Sequence, residues 1–259
     1  MSAYTSYQTR LAKPIADSWA YKTKASAVAG FRKDSEPLVE QGYLKDLTNL
    51  PFLVRMIEKE APFPLTDVDK WVLSQTDEEF KYHDWDELRQ IINTNNLSVL
   101  KRKPSDLRRY MDWTAATKAE YGSMTNYLLQ NRLPKAWGDL PFTPVSDTPF
   151  ADPSDYRVLI NDWPYGLTPD ITHIVVWSRT LIPTDPKTGD VTPESRQLIR
   201  DFVQRYFVDT LGPDGEVMWF KNWVSLQSVR ALEHIHVLVR NVDPAILRQW
   251  VTEDGDDRQ

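Results

Sequence analysis

Cysteine is absent from all 259 residues. That excludes disulfides, thiol nucleophiles and thiolate metal centres, and it fits a reducing, cytoplasmic setting. No run of about 18 apolar residues occurs, so a membrane-spanning helix is not expected. The N-terminus lacks the compact apolar core of a secretory signal. Neither a Gly-rich phosphate loop nor a Gly-x-Ser-x-Gly nucleophile elbow is present. Positive charge is in deficit, 31 Lys and Arg against 37 Asp and Glu, for a net charge of -6. Nucleic-acid binding would therefore need a local basic patch. Aromatic residues are plentiful: ten Trp and eleven Tyr can bury apolar area and still offer polar tips.

Residues 1–33 are rich in Ser, Thr, Ala, Tyr and Lys, with Asp17 their single acid. They read as a flexible tail with a faint likeness to a transit peptide. Residues 34–133 read as helical. Thr66-Asp67-Val68-Asp69 opens a short helix through Trp71 to Ser74. Thr76 with Glu79, and Asp84 with Glu87, have capping-box spacing. Leu88, Ile91 and Ile92 follow at helical spacing. Pro104-Ser105 starts a longer helix, with Leu107, Tyr110, Met111, Thr114, Ala115 and later Leu128 and Leu129 at a period near 3.6. Residues 134–155 form a Pro-rich connection, with Pro134, Pro141, Pro144, Pro149 and Pro153. Trp137, Phe142 and Phe150 within it point to packing on the body.

Residues 156–251 read as strands around one helix. Strands are expected over 156–161, 172–178, 216–223 and 234–240. Asp162-Trp163-Pro164-Tyr165-Gly166 forms a turn after the first strand. Thr192-Pro193-Glu194 caps the helix, and Leu211-Gly212-Pro213 stops it. Asp243-Pro244 opens a closing helix, and 252–259 form an acidic tail. The fold class is α+β, a helical N-terminal half packed on a small antiparallel sheet, in one compact domain overall.

The best pointer to chemistry is Glu233-His234-Ile235-His236-Val237-Leu238-Val239-Arg240. Successive side chains of a strand face opposite sides, so His234, His236 and Leu238 share one face. Ile235, Val237 and Val239 share the other and can bury against a helix. Two imidazoles are thereby displayed side by side on a rigid element. A structural or binding pair on a half-buried strand is the alternative. A metal site would need a third ligand, with His173, Asp162 and Glu233 as candidates, and nothing fixes their spacing. No metal or other cofactor is expected.

The order strand, turn, strand, helix, strand, histidine strand resembles the histidine-triad (HIT-like) nucleotide-binding superfamily. The residues that carry the likeness are VLINDWPYGL, HIVVWSR, VTPESRQLIRDFV and SVRALEHIHVLV, within about 156–241. The resemblance implies that His236 would attack a nucleotide phosphorus. This chain has Leu238 where the third histidine would stand.

A second resemblance covers about residues 62–240. PFPLTDVDKWVLSQTDEEF, LKRKPSDLRRYMDW, EYGSMTNYLL, LINDWPYGL, HIVVWSR and WFKNWVSLQSVRALEHIHVLV look like a fungal family known as N-acetylglucosamine-induced proteins. That family includes arginine-containing cyclodipeptide synthases, which join arginine and a second amino acid from aminoacyl-tRNAs. The resemblance implies an aminoacyl transferase needing no ATP. The synthases carry an Asp-Asp-x-x-Glu motif; the nearest cluster here is Asp84-Trp85-Asp86-Glu87. A non-synthase, sugar-induced binding protein remains the other reading of the family.

For that chemistry His236 or His234 would serve as general base, with Glu233 beside them. Asp162 and Glu233 are candidates for gripping a guanidinium, because bidentate pairing is geometrically specific. Asn161, Trp163, Tyr165, Lys221, Asn222 and Ser228 complete the candidate substrate site. Lys101, Arg102, Lys103, Arg108 and Arg109, with Tyr110, Trp113 and Tyr121 following, would hold the tRNA acceptor end. A salt-bridged helix face is the alternative for this basic segment.

Overall fold

A computed structural model describes residues 61–251. The expected N-terminal and acidic tails lie outside the described residues. Along the chain run α1 (Asp67–Leu73), α2 (Trp85–Asn93), α3 (Pro104–Tyr121), α4 (Met124–Asn131), β1 (Tyr156–Ile160), β2 (Ile171–Ser178), α5 (Pro193–Val203), β3 (Glu216–Phe220), β4 (Glu233–Arg240) and α6 (Pro244–Trp250). The architecture is α+β with one small antiparallel sheet. The described residues divide into two compact units, 61–80 with 101–122, and 81–100 with 123–251.

In the first unit, Thr66 and Asp69 close a capping box at the start of α1. Thr76 and Glu79 exchange the same reciprocal bonds, Thr76 N to Glu79 Oε2 at 2.8 Å and Glu79 N to Thr76 Oγ1 at 3.4 Å. Only turns follow there, because Phe80 is buried and no helical apolar stripe continues. The long helix expected from Pro104 through Leu129 is broken. Gly122 takes a left-handed φ of 77° and ends α3, and the Ser123 side chain accepts from Asn126 N to start α4.

The second unit holds the sheet, in the order β1-β2-β4-β3, antiparallel throughout. One face carries Val158, Ile174, Val176, Ile235, Val237 and Val239, all buried against Ile199, Phe202, Val203 and Phe207 of α5 and its continuation. That helix runs on past Val203 through a π turn, Gln204–Val208. The β4 alternation expected from sequence is thus the observed one. The opposite face carries His173, Val175, Trp177, His234, His236 and Leu238, since Val175 pairs with His236 and Trp177 with His234. Trp85, Leu88 and Ile91 of α2, with Leu97 and Leu100, cover its Leu238, Ile171 and Phe220 end.

The strand expected over 216–223 ends at Phe220. Lys221, Asn222 and Trp223 leave the ladder because their side chains bond elsewhere: Trp223 Nε1 donates to Asn95 Oδ1 at 3.2 Å, and Asn222 turns to His236.

The Pro-rich connection is held by buried groups. Trp137 lies edge-to-face on Phe142 and donates from Nε1 to Ser154 O at 2.8 Å. Phe150 stacks on Phe202, ring centroids 4.5 Å apart. Asp155, fully buried, accepts from Val145 N at 2.9 Å and Ser146 N at 2.8 Å and pairs with Arg179. Burial pushes the Asp155 carboxyl up, but those two amides and the Arg179 guanidinium outweigh it and hold it below the usual carboxylate range. The ionised form is thus favoured by folding, and its stabilisation fades as pH falls through the lowered value. Asp155→Asn should cost about 3 kcal/mol at neutral pH. Urea unfolding of both proteins across pH checks this, and the gap should narrow in acid.

Candidate functional site

The imidazole face owes its geometry to register. His173 pairs with Leu238 and His236 with Val175, so His173 and His236 are diagonal neighbours on one face of β2 and β4. Their ring nitrogens, His173 Nε2 and His236 Nδ1, lie 3.0 Å apart. Asn161 Nδ2 sits 3.3 Å from His173 Nε2 and 3.4 Å from its Nδ1. On the far side of His236, Asn222 Nδ2 is 3.3 Å from Nε2 and also 3.3 Å from Tyr165 Oη. Tyr165 stacks over His173 at 5.5 Å, and Phe220 stacks on His236 at 4.8 Å.

This places His173 at the centre, although its sequence reading went no further than a possible metal ligand. The signal was there in principle: HIVVWS is a short apolar run of strand character, and His173 falls two residues from Val175, the partner of His236. The register that joins them is not written in either strand alone.

His234 and His236 share a face of β4, as the alternation implies, but their rings are buried. His173, His234 and His236 are only 2%, 5% and 7% exposed. His234 points its Nδ1 at Leu232 O, 2.9 Å away, and packs on Trp177 at 4.6 Å. Its ring stands nearly perpendicular to that of His236, at 80°. The partner of His236 is a different histidine, on the neighbouring strand.

Burial drives the His234 pKa down to about 4, with the Leu232 carbonyl opposing and the Lys221 charge adding to the fall. His234 is therefore a neutral imidazole at neutral pH, with Nδ1–H donated to the backbone.

Glu233 takes the opposite face from the imidazoles by the alternation of β4. Its Oε2 lies 3.1 Å from Nζ of the buried Lys221. Glu233 and Lys221 thus form an ion pair, and the Lys221 charge reaches His234. Asp162 accepts from Arg132 Nη2 at 3.0 Å, and Asn161 Oδ1 accepts from Trp163 N at 2.9 Å, shaping the turn that carries Tyr165. Ser228 is exposed on the connection 221–232.

The basic segment lies in the first unit and is engaged within it. Lys103 pairs with Asp77 at 3.1 Å, Arg108 Nη2 donates to Leu73 O at 3.1 Å, and Arg109 pairs with Asp106. Lys101 lies over Trp71 and Phe80, and Arg102 over Tyr110 at 4.2 Å. The Lys103 and Arg108 contacts tie the start of α3 to the residues before it.

The acidic cluster Asp84-Trp85-Asp86-Glu87 starts α2. Asp84 Oδ1 caps Glu87 N at 2.9 Å, Asp86 pairs with Arg89 at 2.8 Å, and Glu87 Oε2 lies 3.1 Å from Nδ1 of the fully buried His83. Among the described residues no three metal-ligating side chains converge. No described helix is long and apolar enough to cross a membrane.

The family model described as "Protein of unknown function (DUF3605)" matches residues 84–240. N-acetylglucosamine-induced protein 1 of Candida albicans is 30% identical over 183 residues, covering 65% of this chain and 72% of that protein. The chain belongs to this family. A protein of Saccharomyces cerevisiae named only as uncharacterized is 28% identical over 169 residues, covering 65% of this chain and 84% of its own. Among solved structures, the crystal structure of HTC1 superposes with a TM-score of 0.53 at 26% identity, covering 65% of this chain and 92% of that one. The family match spans every element that builds the imidazole face, from α2 to the end of β4.

Because His234 is neutral when folded and unfolded histidine binds a proton near pH 6.5, stability should fall as pH drops from about 6.5 towards 4. The expected loss is up to about 3 kcal/mol at the acid end of that window. His234→Gln should lose part of this acid sensitivity. Chemical denaturation of both proteins between pH 7 and pH 5 reads it directly.

Proposed function

We propose that the chain is a tRNA-dependent aminoacyl transferase of the cyclodipeptide-synthase kind, condensing arginine with a second amino acid. The observation that supports this reading best is the His173–His236–Asn222 row: an imidazole with one nitrogen bonded to another histidine and the other held by an amide. Aminoacyl-tRNA is an activated ester, so the reaction needs a base, orientation and water exclusion, and no cofactor. The α-amine of one aminoacyl group attacks the ester carbonyl of the other. His236 takes the amine proton, and the tRNA 3′ hydroxyl leaves with a proton returned to it. A second aminolysis closes the ring and releases the second tRNA.

Asp162, which accepts from the guanidinium of Arg132 beside the turn that carries Tyr165, is the guanidinium candidate of this reading. In this reading Lys101, Arg102, Lys103, Arg108 and Arg109 meet the acceptor end, and the substrates place the protein in the cytoplasm. The HIT-like phosphorus chemistry has less support. Leu238, fully buried, stands in the third histidine position. The enclosure of all three imidazoles favours a second reading, a sugar-induced binding protein without catalysis.

Purified protein supplied with arginyl-tRNA and mixed aminoacyl-tRNAs separates these. Mass spectrometry should detect a cyclic dipeptide containing arginine, and His236→Ala should lower its yield at least about 100-fold. An empty product channel beside an active synthase control, or an undiminished yield from His236→Ala, contradicts the proposal.

A further inference from the structure

Asn222 is 6% exposed, and its amide is used unevenly. Nδ2 faces both His236 Nε2 and Tyr165 Oη at 3.3 Å. Oδ1 is buried with no hydrogen-bonding partner among the described residues. A buried carbonyl left unpaired costs about 1–3 kcal/mol, so its presence beside a histidine calls for an explanation.

We infer that Asn222 is a positioning residue whose amide turns over as His236 takes and gives up a proton. When His236 Nε2 carries a lone pair, Nδ2 donates to it, as observed. His236 Nδ1–H then donates to His173 Nε2, because one of those two nitrogens must carry the proton. When His236 Nε2 gains a proton, it becomes a donor, and an amide donor facing it would clash. Rotation of the amide by half a turn about its soft terminal torsion brings Oδ1 to that position. Oδ1 then accepts from Nε2–H, and the Nδ1–H bond to His173 stays as it was. Tyr165 Oη serves either orientation, since a phenol hydroxyl both accepts and donates.

One amide atom lacks a partner in each orientation, Oδ1 in the first and Nδ2 in the second. The penalty therefore nearly cancels between the two states, and the proton on His236 decides which is adopted. Among the described residues, the titratable rings in contact with that of His236 are His173 from β2, His234 from its own strand and Tyr165 from the turn. His234 is already bonded to Leu232 O and stays neutral at neutral pH. The device gives a ring that is 7% exposed an accepting amide oxygen when it carries a positive charge.

The inference rests on the reading of His236 as a base, but its test needs no activity, so the two can fail separately. Nitrogen-15 imidazole spectra of the intact protein report the tautomer and the protonation midpoint of His236. The unprotonated wild type should show hydrogen on Nδ1 and a lone pair on Nε2. Asn222→Leu, which can neither donate nor accept, should lower the midpoint. Asn222→Asp, which accepts only, should raise it by about one pH unit or more. Asn222→Gln should restore the wild-type tautomer if it folds. A wild type carrying hydrogen on Nε2 in its unprotonated form overturns the inference without any variant. So does an unchanged midpoint in a folded Asn222→Leu protein.

Discussion

The hydrogen bond between His173 and His236, 3.0 Å across two central strands, is the contact on which the site depends. Two imidazoles inside an aromatic enclosure are costly unless their nitrogens are paired. Here each ring answers the other. Asn161 stands behind the first and Asn222 behind the second. Remove either histidine and the remaining ring, packed against Tyr165 or Phe220, loses this bond at a buried nitrogen.

That contact exists because the sheet is sided. Branched aliphatic residues on alternate positions of β2 and β4 bury against α5, which leaves the intervening positions to the imidazoles. A slip of one residue in either strand would send His173 or His236 into the aliphatic layer. The aliphatic layer thus fixes the polar one. On the polar side, α2 seals the Leu238 end, while the turn bearing Tyr165 closes over His173. Backbone bonds from His83 N to Gly166 O at 2.8 Å and from Thr168 N to His83 O at 3.0 Å fasten that turn to the start of α2.

Much of this was legible in the sequence. The alternation EHIHVLV fixes which β4 side chains share a face, and capping signals at Thr66, Asp84 and Thr192 start helices where expected. What was not legible came from pairing between distant segments. Nothing local to His173 says that it lies diagonal to His236, since that follows from a register set by turns and by the whole aliphatic layer. Lys221 and Asn222 read as a continuation of an apolar strand, yet their side chains turn to side chains of β4, Glu233 and His236. The basic run 101–109 reads as a surface for phosphates or a salt-bridged face; Asp106 within it engages Arg109, and Asp77 and the Leu73 carbonyl, distant in the chain, engage Lys103 and Arg108. Charge runs show what a segment carries, and only the fold shows what it has already satisfied.

The central claim is most directly tested by through-hydrogen-bond nitrogen–nitrogen coupling in uniformly labelled protein. The account predicts a coupling that links Nε2 of His173 to Nδ1 of His236. Absence of that coupling, with each ring showing the tautomer and shifts of an independent, water-bonded imidazole, would contradict it.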